Sequence, residues 1–192
     1  LGVPSYCKHQ GVVARQAPIK LLDLKELLGL ADESQEQYSG RILALDSLQD
    51  PRNLGAIFRS ALAAGFTSVI MTRERSAHIT GTVARTSAGA LSHLSICQVV
   101  NLSDTIQTLR KKGFWVFGSV ADRQAKSIYE ADFTTPLCLI IGGEEKGIRP
   151  LVRKQCDQLI TIPIQGDFDS LNASAAASVI MFEIVRRLEQ SD

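Results

Sequence analysis

Apolar residues along the chain gather into six short runs separated by stretches of helical spacing. The runs cover 42–46, 68–72, 95–100, 114–119, 137–141 and 159–164, and their β-branched and aromatic content predicts strands. Between the first two, Asp50-Pro51 opens a helix that reaches about Ala64 and stops at Gly65, with Pro at a position the first turn tolerates. Further helices are predicted over 82–91, 103–112 and 151–156. After the last run comes a polar loop, QGDFDS. From Asn172 the chain turns Ala-rich, and Val179, Phe182, Ile184 and Val185 recur at roughly helical spacing, which predicts a long C-terminal helix. Residues 121–136 are mostly polar and read as irregular. Residues 21–30 carry Leu at helical spacing, and 31–40 are polar and loop-like.

Strands alternating with helices imply an α/β domain with a mostly parallel six-stranded sheet covered on both faces. In such a sheet, ligands bind at the carboxyl ends of the strands. The regular pattern begins at Arg41, so 41–192 is expected to be the main domain and 1–40 a tail or linker. The chain opens on Leu1 rather than Met, which reads as a processed product or a fragment.

Composition adds bounds to this picture. A chain of 192 residues with 45% hydrophobic content suits one compact domain with a sizeable core. No apolar run approaches the length that crosses a bilayer, and no signal peptide opens the chain. The formal net charge is +1, so a nucleic-acid partner depends on how the 21 Lys and Arg cluster in space. Cys7, Cys97, Cys138 and Cys156 form no Cys-x-x-Cys pair, and the three histidines lie far from them, so metal ligation is not expected. A reducing, cytoplasmic setting is the default for such thiols.

Three segments carry candidate chemistry. In the first, LDSLQDPRNLGAIFRSALAAGF, Gly55 and Arg59 lie four apart on one helix face. The glycine admits a close neighbour, and the arginine offers a planar fork for a phosphate. A packing glycine and a surface arginine would look the same. In the second, LCLIIGGEEKGIRP, a glycine-rich loop follows a strand. It lacks both the G-x-G-x-x-G spacing of a dinucleotide loop and the Walker spacing, which removes a Rossmann dehydrogenase from consideration. In the third, IPIQGDFDSLNASAAA, Ser170 and Asn172 sit where a loop meets a helix. That is a place for ligand contacts or simply for a helix cap.

Taken together and in order, these segments resemble the three signatures of the SpoU (TrmH-type) RNA ribose 2′-O-methyltransferases of the SPOUT class. The first signature is met at Asn53, Gly55, Arg59 and Ala61. The second is met at Gly142, Glu144 and Gly147. The third is met at Ile162, Pro163, Gly166, Ser170, Leu171, Asn172, Ser174 and Ala176. Small departures are Ala173, where Val is common, and Ala175, where a larger apolar residue is usual. The segment HQGVVAR resembles the close of a small RNA-binding domain that many relatives carry, so 1–40 would be its remnant plus a linker.

The resemblance implies a C-terminal trefoil knot, S-adenosylmethionine as methyl donor, an RNA substrate (ribosomal RNA ahead of tRNA, with guanosine favoured) and a homodimer. Gly142, Ile162 and Leu171 match positions that contact the donor, chiefly through main-chain groups, with Gly143 nearby and Ser119 at the end of the fourth strand. Arg59, Glu144, Ser170 and Asn172 would form the polar centre, with Asn53 beside it. A non-catalytic RNA-binding module on the same fold is the alternative of a different class. The intact polar positions speak against it.

Overall fold

The protein is described from a computed structural model covering 19–33, 40–166 and 170–190, with side chains of 30–33 left aside. Cys7, the HQGVVAR segment and Asp167 to Asp169 of the polar loop lie outside the described residues. In chain order the strands are β1 (Arg41–Asp46), β2 (Ser68–Thr72), β3 (Ser95–Val99), β4 (Trp115–Ser119), β5 (Lys126–Ser127), β6 (Leu137–Gly142) and β7 (Gln158–Thr161). The α-helices are α1 (Leu24–Glu33), α2 (Pro51–Ala63), α3 (Gly81–Thr86), α4 (Leu102–Lys111), α5 (Pro150–Arg153) and α6 (Ala173–Glu189).

All pairings in the sheet are parallel, in the order β3-β2-β1-β6-β4-β7-β5. The six predicted strands are all present. The seventh, β5, falls in the stretch read as irregular. Its two residues pair with the edge of β7, and the chain after it buries Ile128, Ala131 and Phe133, with the Phe133 ring 4.9 Å from that of Phe117. Spaced apolar residues in a polar segment are a weak signal, because single anchors produce no run. The predicted helix over 82–91 is two pieces, α3 and a 3-10 turn at Ala90–His93. Gly89 between them has a φ of +90°, in the left-handed region that breaks a helix. The sixth predicted strand ends early, at Thr161: residues 162–165 leave the ladder, as Pro163, which has no N–H to donate, suits.

Burial explains the strand sequences. The central β1 and β6 are covered on both faces, and their residues are apolar almost without interruption. One face packs against α2, α3 and α6 through Leu54, Ile57, Phe58, Val83, Ile180 and Ile184. The other packs against α1, α4 and α5 through Leu27, Leu102, Ile106, Leu109 and Val152. Segment 19–28 is joined to the sheet: the Leu22 N–H donates to the Ile96 carbonyl at 2.8 Å, and Leu27 and Leu28 are buried.

Gly55 is accounted for by packing. A Cβ there would lie 1.8 Å from Thr86 Oγ1 and 2.9 Å from the Val83 carbonyl, so its bareness lets α3 press onto α2. Among the described residues no helix is long and apolar enough to cross a membrane.

Candidate functional site

The carboxyl ends of β1, β6, β4 and β7 stand side by side. Asp46 is in register with Gly142, and Ser119 with Ile160. Three connections meet at these ends, described over 119–125, 142–149, and 162–166 with 170–172. They enclose a cleft of about 650 Å³, large enough for a small-molecule ligand. Ser119, Gly142, Gly143, Glu144, Ile162, Ser170, Leu171 and Asn172 all line it. Two predicted site residues do not. Asn53 lies behind the cleft wall, and Arg59 is exposed on α2, away from the lining. Among the described residues no hydrogen bond or ion pair joins Arg59.

The glycine-rich loop is folded against its own strand ends. A Cβ on Gly142 would sit 2.1 Å from the Gly147 carbonyl carbon and 2.3 Å from the Ile148 nitrogen. One on Gly143 would sit 2.2 Å from the Ser47 carbonyl oxygen. The Gly147 N–H closes the turn on the Gly143 carbonyl at 2.9 Å, and the Gly143 N–H donates to the Asp46 carbonyl at 2.9 Å. With no side chain at 142, 143 or 147, the main chain itself forms this part of the cleft wall.

A buried carboxylate pins the far end of the loop. Asp46 is wholly buried. Its Oδ2 accepts from the Arg149 N–H at 2.8 Å, and its Oδ1 accepts from Arg149 Nε at 2.7 Å. No motif along the chain marks this pair. Its signal is a carboxylate closing a strand that is otherwise apolar, since a buried charge requires a partner. On the opposite wall, Arg153 Nη2 donates to Asp122 Oδ2 at 2.7 Å. The Gln124 N–H, and then the Arg153 guanidinium, hold the Asp122 carboxyl below the usual carboxylate range. Arg123 Nη2 reaches the Gly166 carbonyl at 3.4 Å, tying this wall to the 162–172 loop.

The three sequence segments meet in one hydrogen-bonded line. Asn53 Nδ2 donates to Glu144 Oε1 at 2.8 Å. Asn172 Nδ2 donates to Asn53 Oδ1 at 3.0 Å. Asn172 Oδ1 in turn accepts from the N–H groups of Ser174 and Ala175, at 2.9 and 3.3 Å, so the residue also caps α6. Asn172 therefore both caps α6 and lines the cleft. Glu144 reaches it through Asn53 and makes no bond to Arg59. Replacing Asn53 with Ala removes both bonds at once. Glu144 and Asn172 are exposed, so water replaces their lost partner, and the cost in stability stays at about 0.5–1.5 kcal/mol, that of an ordinary hydrogen bond, for each bond lost. The expected result is a fall in turnover of about ten- to a hundredfold, with affinity for a ligand bound on the glycine loop within about threefold of wild type. Steady-state kinetics beside calorimetry would check it, and an unchanged turnover would refute it.

Among the described residues no group of three or more His, Cys, Asp or Glu side chains is placed to hold a metal ion. Burial pushes the Cys97 and Cys156 thiols up to about 11, so both stay protonated and poorly nucleophilic near neutrality.

Comparison with known proteins agrees with this geometry. The model of the SpoU rRNA Methylase family matches residues 40–182. A protein of Xanthomonas campestris pv. campestris named 23S rRNA (guanosine-2'-O-)-methyltransferase RlmB is 42% identical over 186 residues, covering 97% of this chain and 74% of the relative. An uncharacterized tRNA/rRNA methyltransferase of Synechocystis, slr0955, is 43% identical over 180 residues. There the match covers 93% of this chain, which spans less than half, 46%, of that longer relative. Among solved structures, the SpoU methyltransferase AviRb from Streptomyces viridochromogenes in complex with AdoMet superposes with a TM-score of 0.69 at 31% identity. It covers 77% of this chain and 57% of that one. With the second and third signatures lining one cleft, the first joined to them through Asn53, and a family match across most of its length, the chain belongs to the SpoU rRNA Methylase family.

Proposed function

We propose that this chain transfers a methyl group from S-adenosylmethionine to a ribose 2′-hydroxyl of RNA, with guanosine in large-subunit ribosomal RNA as the favoured target. The carrying observation is the line Glu144–Asn53–Asn172, which joins all three signature segments at the edge of a glycine-walled cleft. The 23S rRNA guanosine activity named for the Xanthomonas relative supports the substrate, and AdoMet in the AviRb structure supports the donor.

The cleft suits that donor. Its volume is in the range of small-molecule sites, and bare main chain at Gly142 and Gly143 lets an adenosine and a methionine moiety come close to its wall. Gly142, Gly143, Ile162 and Leu171 would hold it mainly by main chain, with Ser119 at the floor. The bound sulfonium supplies an activated methyl, so the chain's own task is positioning. Ser170 and Asn172 orient the ribose, and Glu144 and Asn53 fix Asn172. Arg59 holds the phosphate beside the target and stabilises charge developing on the hydroxyl oxygen.

Arg59 does not line the cleft of its own chain, so this role calls for a second copy. A homodimer through α2 and α6 brings Arg59 of one subunit to the cleft of the other. Val179 and Phe182, 40% and 49% exposed on α6, supply an apolar face for it. The trefoil knot, formed by the 142–149 and 162–172 connections, belongs to the same proposal. So do a cytoplasmic setting and the division into an RNA-binding remnant with linker (1–40) and a catalytic domain (41–192).

Calorimetry with S-adenosylmethionine, together with mapping of ribose methylation on 23S rRNA from a strain lacking the protein, tests the reading. Heat of binding and the loss of one methylated site are expected. Absence of both would overturn it. Sedimentation showing only monomer at micromolar concentration would remove the paired arrangement.

A further inference from the structure

We infer that the loop after β2, with Arg73 and Arg75, is a phosphate-binding rim that holds the RNA strand flanking the target nucleotide. The inference rests on the RNA-methyltransferase reading and adds a substrate-contact site to it.

Placement comes first. In register, Leu45 pairs with Met71 and Asp46 with Gly142, so the end of β2 lies two strands from the glycine loop. With strands spaced about 4.8 Å apart, Arg73 leaves the sheet roughly 10 Å from the head of the cleft. The loop is also tied to the cleft wall: the Ala77 N–H donates to the Leu48 carbonyl at 2.7 Å, and the next residue, Gln49, donates its N–H to Glu144 Oε2 at 3.4 Å.

Charge comes second. Arg73, Arg75, His78 and Arg85 are all exposed between β2 and the end of α3, against a single acidic side chain, Glu74. Arg52, also exposed, stands on the first turn of α2, next to the Leu48–Gln49 anchor. Among the described residues no ion pair or hydrogen bond occupies the guanidinium of Arg52, Arg73 or Arg75. Among the described residues these three guanidinium groups thus stand near one another without an acidic partner, whereas Arg149, Arg153 and Arg186 are spent on internal carboxylates.

Rigidity comes third. Thr72 Oγ1 and Ser76 Oγ are 2.6 Å apart across the turn, Ala77 is buried in the core, and Arg75 takes a φ of +62°, uncommon for a long side chain. The turn thus presents Arg73 and Arg75 from a fixed frame. Unpaired guanidinium groups on a fixed turn beside a ribose-reactive cleft match the phosphates of a polynucleotide, which each planar fork can bind in bidentate fashion. They make no base-specific contact, so the rim positions the strand and leaves selection of the target to other contacts.

The test compares wild type, Arg73→Gln/Arg75→Gln, and a control of equal charge loss at the opposite ends of the strands, Lys111→Gln/Lys112→Gln. Binding of a fluorescein-labelled stem–loop RNA is followed by anisotropy across a salt series, beside methyl transfer to a 23S rRNA transcript. The arginine double variant is expected to weaken RNA binding and raise KM about tenfold. The slope of log affinity against log salt should shrink by about 1.4, two contacts at roughly 0.7 each. Its kcat and its heat with S-adenosylmethionine should match wild type. Wild-type-like RNA binding in the double variant would overturn the rim, as would an equal loss in the lysine control. If wild type transfers no methyl group but the arginine variant alone loses RNA affinity, the reading of the reaction falls and the rim stands.

Discussion

Arg59→Ala is expected to lower methyl transfer about a thousandfold, the upper range for removing one preorganised group that stabilises developing charge. Stability should hardly move, within about 0.5 kcal/mol, because the side chain is exposed and joins no internal hydrogen bond or ion pair among the described residues. Donor affinity should hold as well, since the proposal gives Arg59 the phosphate and the hydroxyl oxygen and leaves the donor to the glycine-walled cleft. The proposed pairing of subunits gives a sharper form of the experiment. A cleft-side defect, Asn53→Ala, and the arginine defect are placed on different chains and the chains are mixed. With random pairing in a symmetric dimer, about a quarter of wild-type activity should return, because half the dimers carry one cleft built from two intact contributions. No recovery on mixing, or full activity in Arg59→Ala alone, would refute the assignment.

Gly142→Ala is the second large effect. The added methyl meets the Gly147 carbonyl carbon at 2.1 Å and the Ile148 nitrogen at 2.3 Å, which are main-chain atoms and cannot rotate aside. The turn from Gly143 to Gly147 must open, and with it the wall that faces the donor. A destabilisation of about 3 kcal/mol is expected, at the top of the usual range for overpacking. For a chain of this size that corresponds to a fall in Tm of roughly 6–12 °C. Donor binding by calorimetry should weaken at least about a hundredfold, more than the stability loss alone explains while the domain is still folded. Gly147→Ala serves as the comparison. Its Cβ meets nothing within 4 Å, and only its φ of +60° is unfavourable, so it should cost about 1 kcal/mol and spare most donor binding. Equal behaviour of the two variants would show that turn geometry, and not close approach at Gly142, governs the site.

How far the chain was legible follows from where its information is local. The strands β1, β2, β3, β4 and β6 announce themselves because burial on both faces demands unbroken apolar runs, and all five are where the pattern places them. The end of β7 is less local. Ile162 and Ile164 look like strand residues but turn out of the sheet to line the cleft. The two-residue β5 has no periodic signature at all; it exists because Ile128 and Phe133 find a core built by distant segments.

The site divides in the same way. Eight of the ten candidate site residues line one cleft, since the motif glycines stand at a strand end and the Ser170–Asn172 junction opens the helix that follows the last strand. The Asn53 link between Glu144 and Asn172 joins residues 91 and 119 positions apart, and the Asp46–Arg149 pair spans 103. No window along the chain contains either. Gly55 shows the converse. Its bareness is plain in the sequence, but only the Thr86 contact tells packing from ligand approach.

The position of β6 has a consequence for how the molecule comes into being. It is the hinge of the sheet, hydrogen-bonded on one side to β1 and on the other to β4, yet β1 precedes it by nearly a hundred residues. During synthesis, the first four strands leave the ribosome before the strand that divides them exists, so the inner edges of β1 and β4 must wait without their shared neighbour. Closing contacts at such separation makes folding slow, and the waiting edges are open to self-association. The nascent chain should therefore depend on chaperone capture until residue 142 has emerged. No cut upstream of that point should yield a product that stands alone.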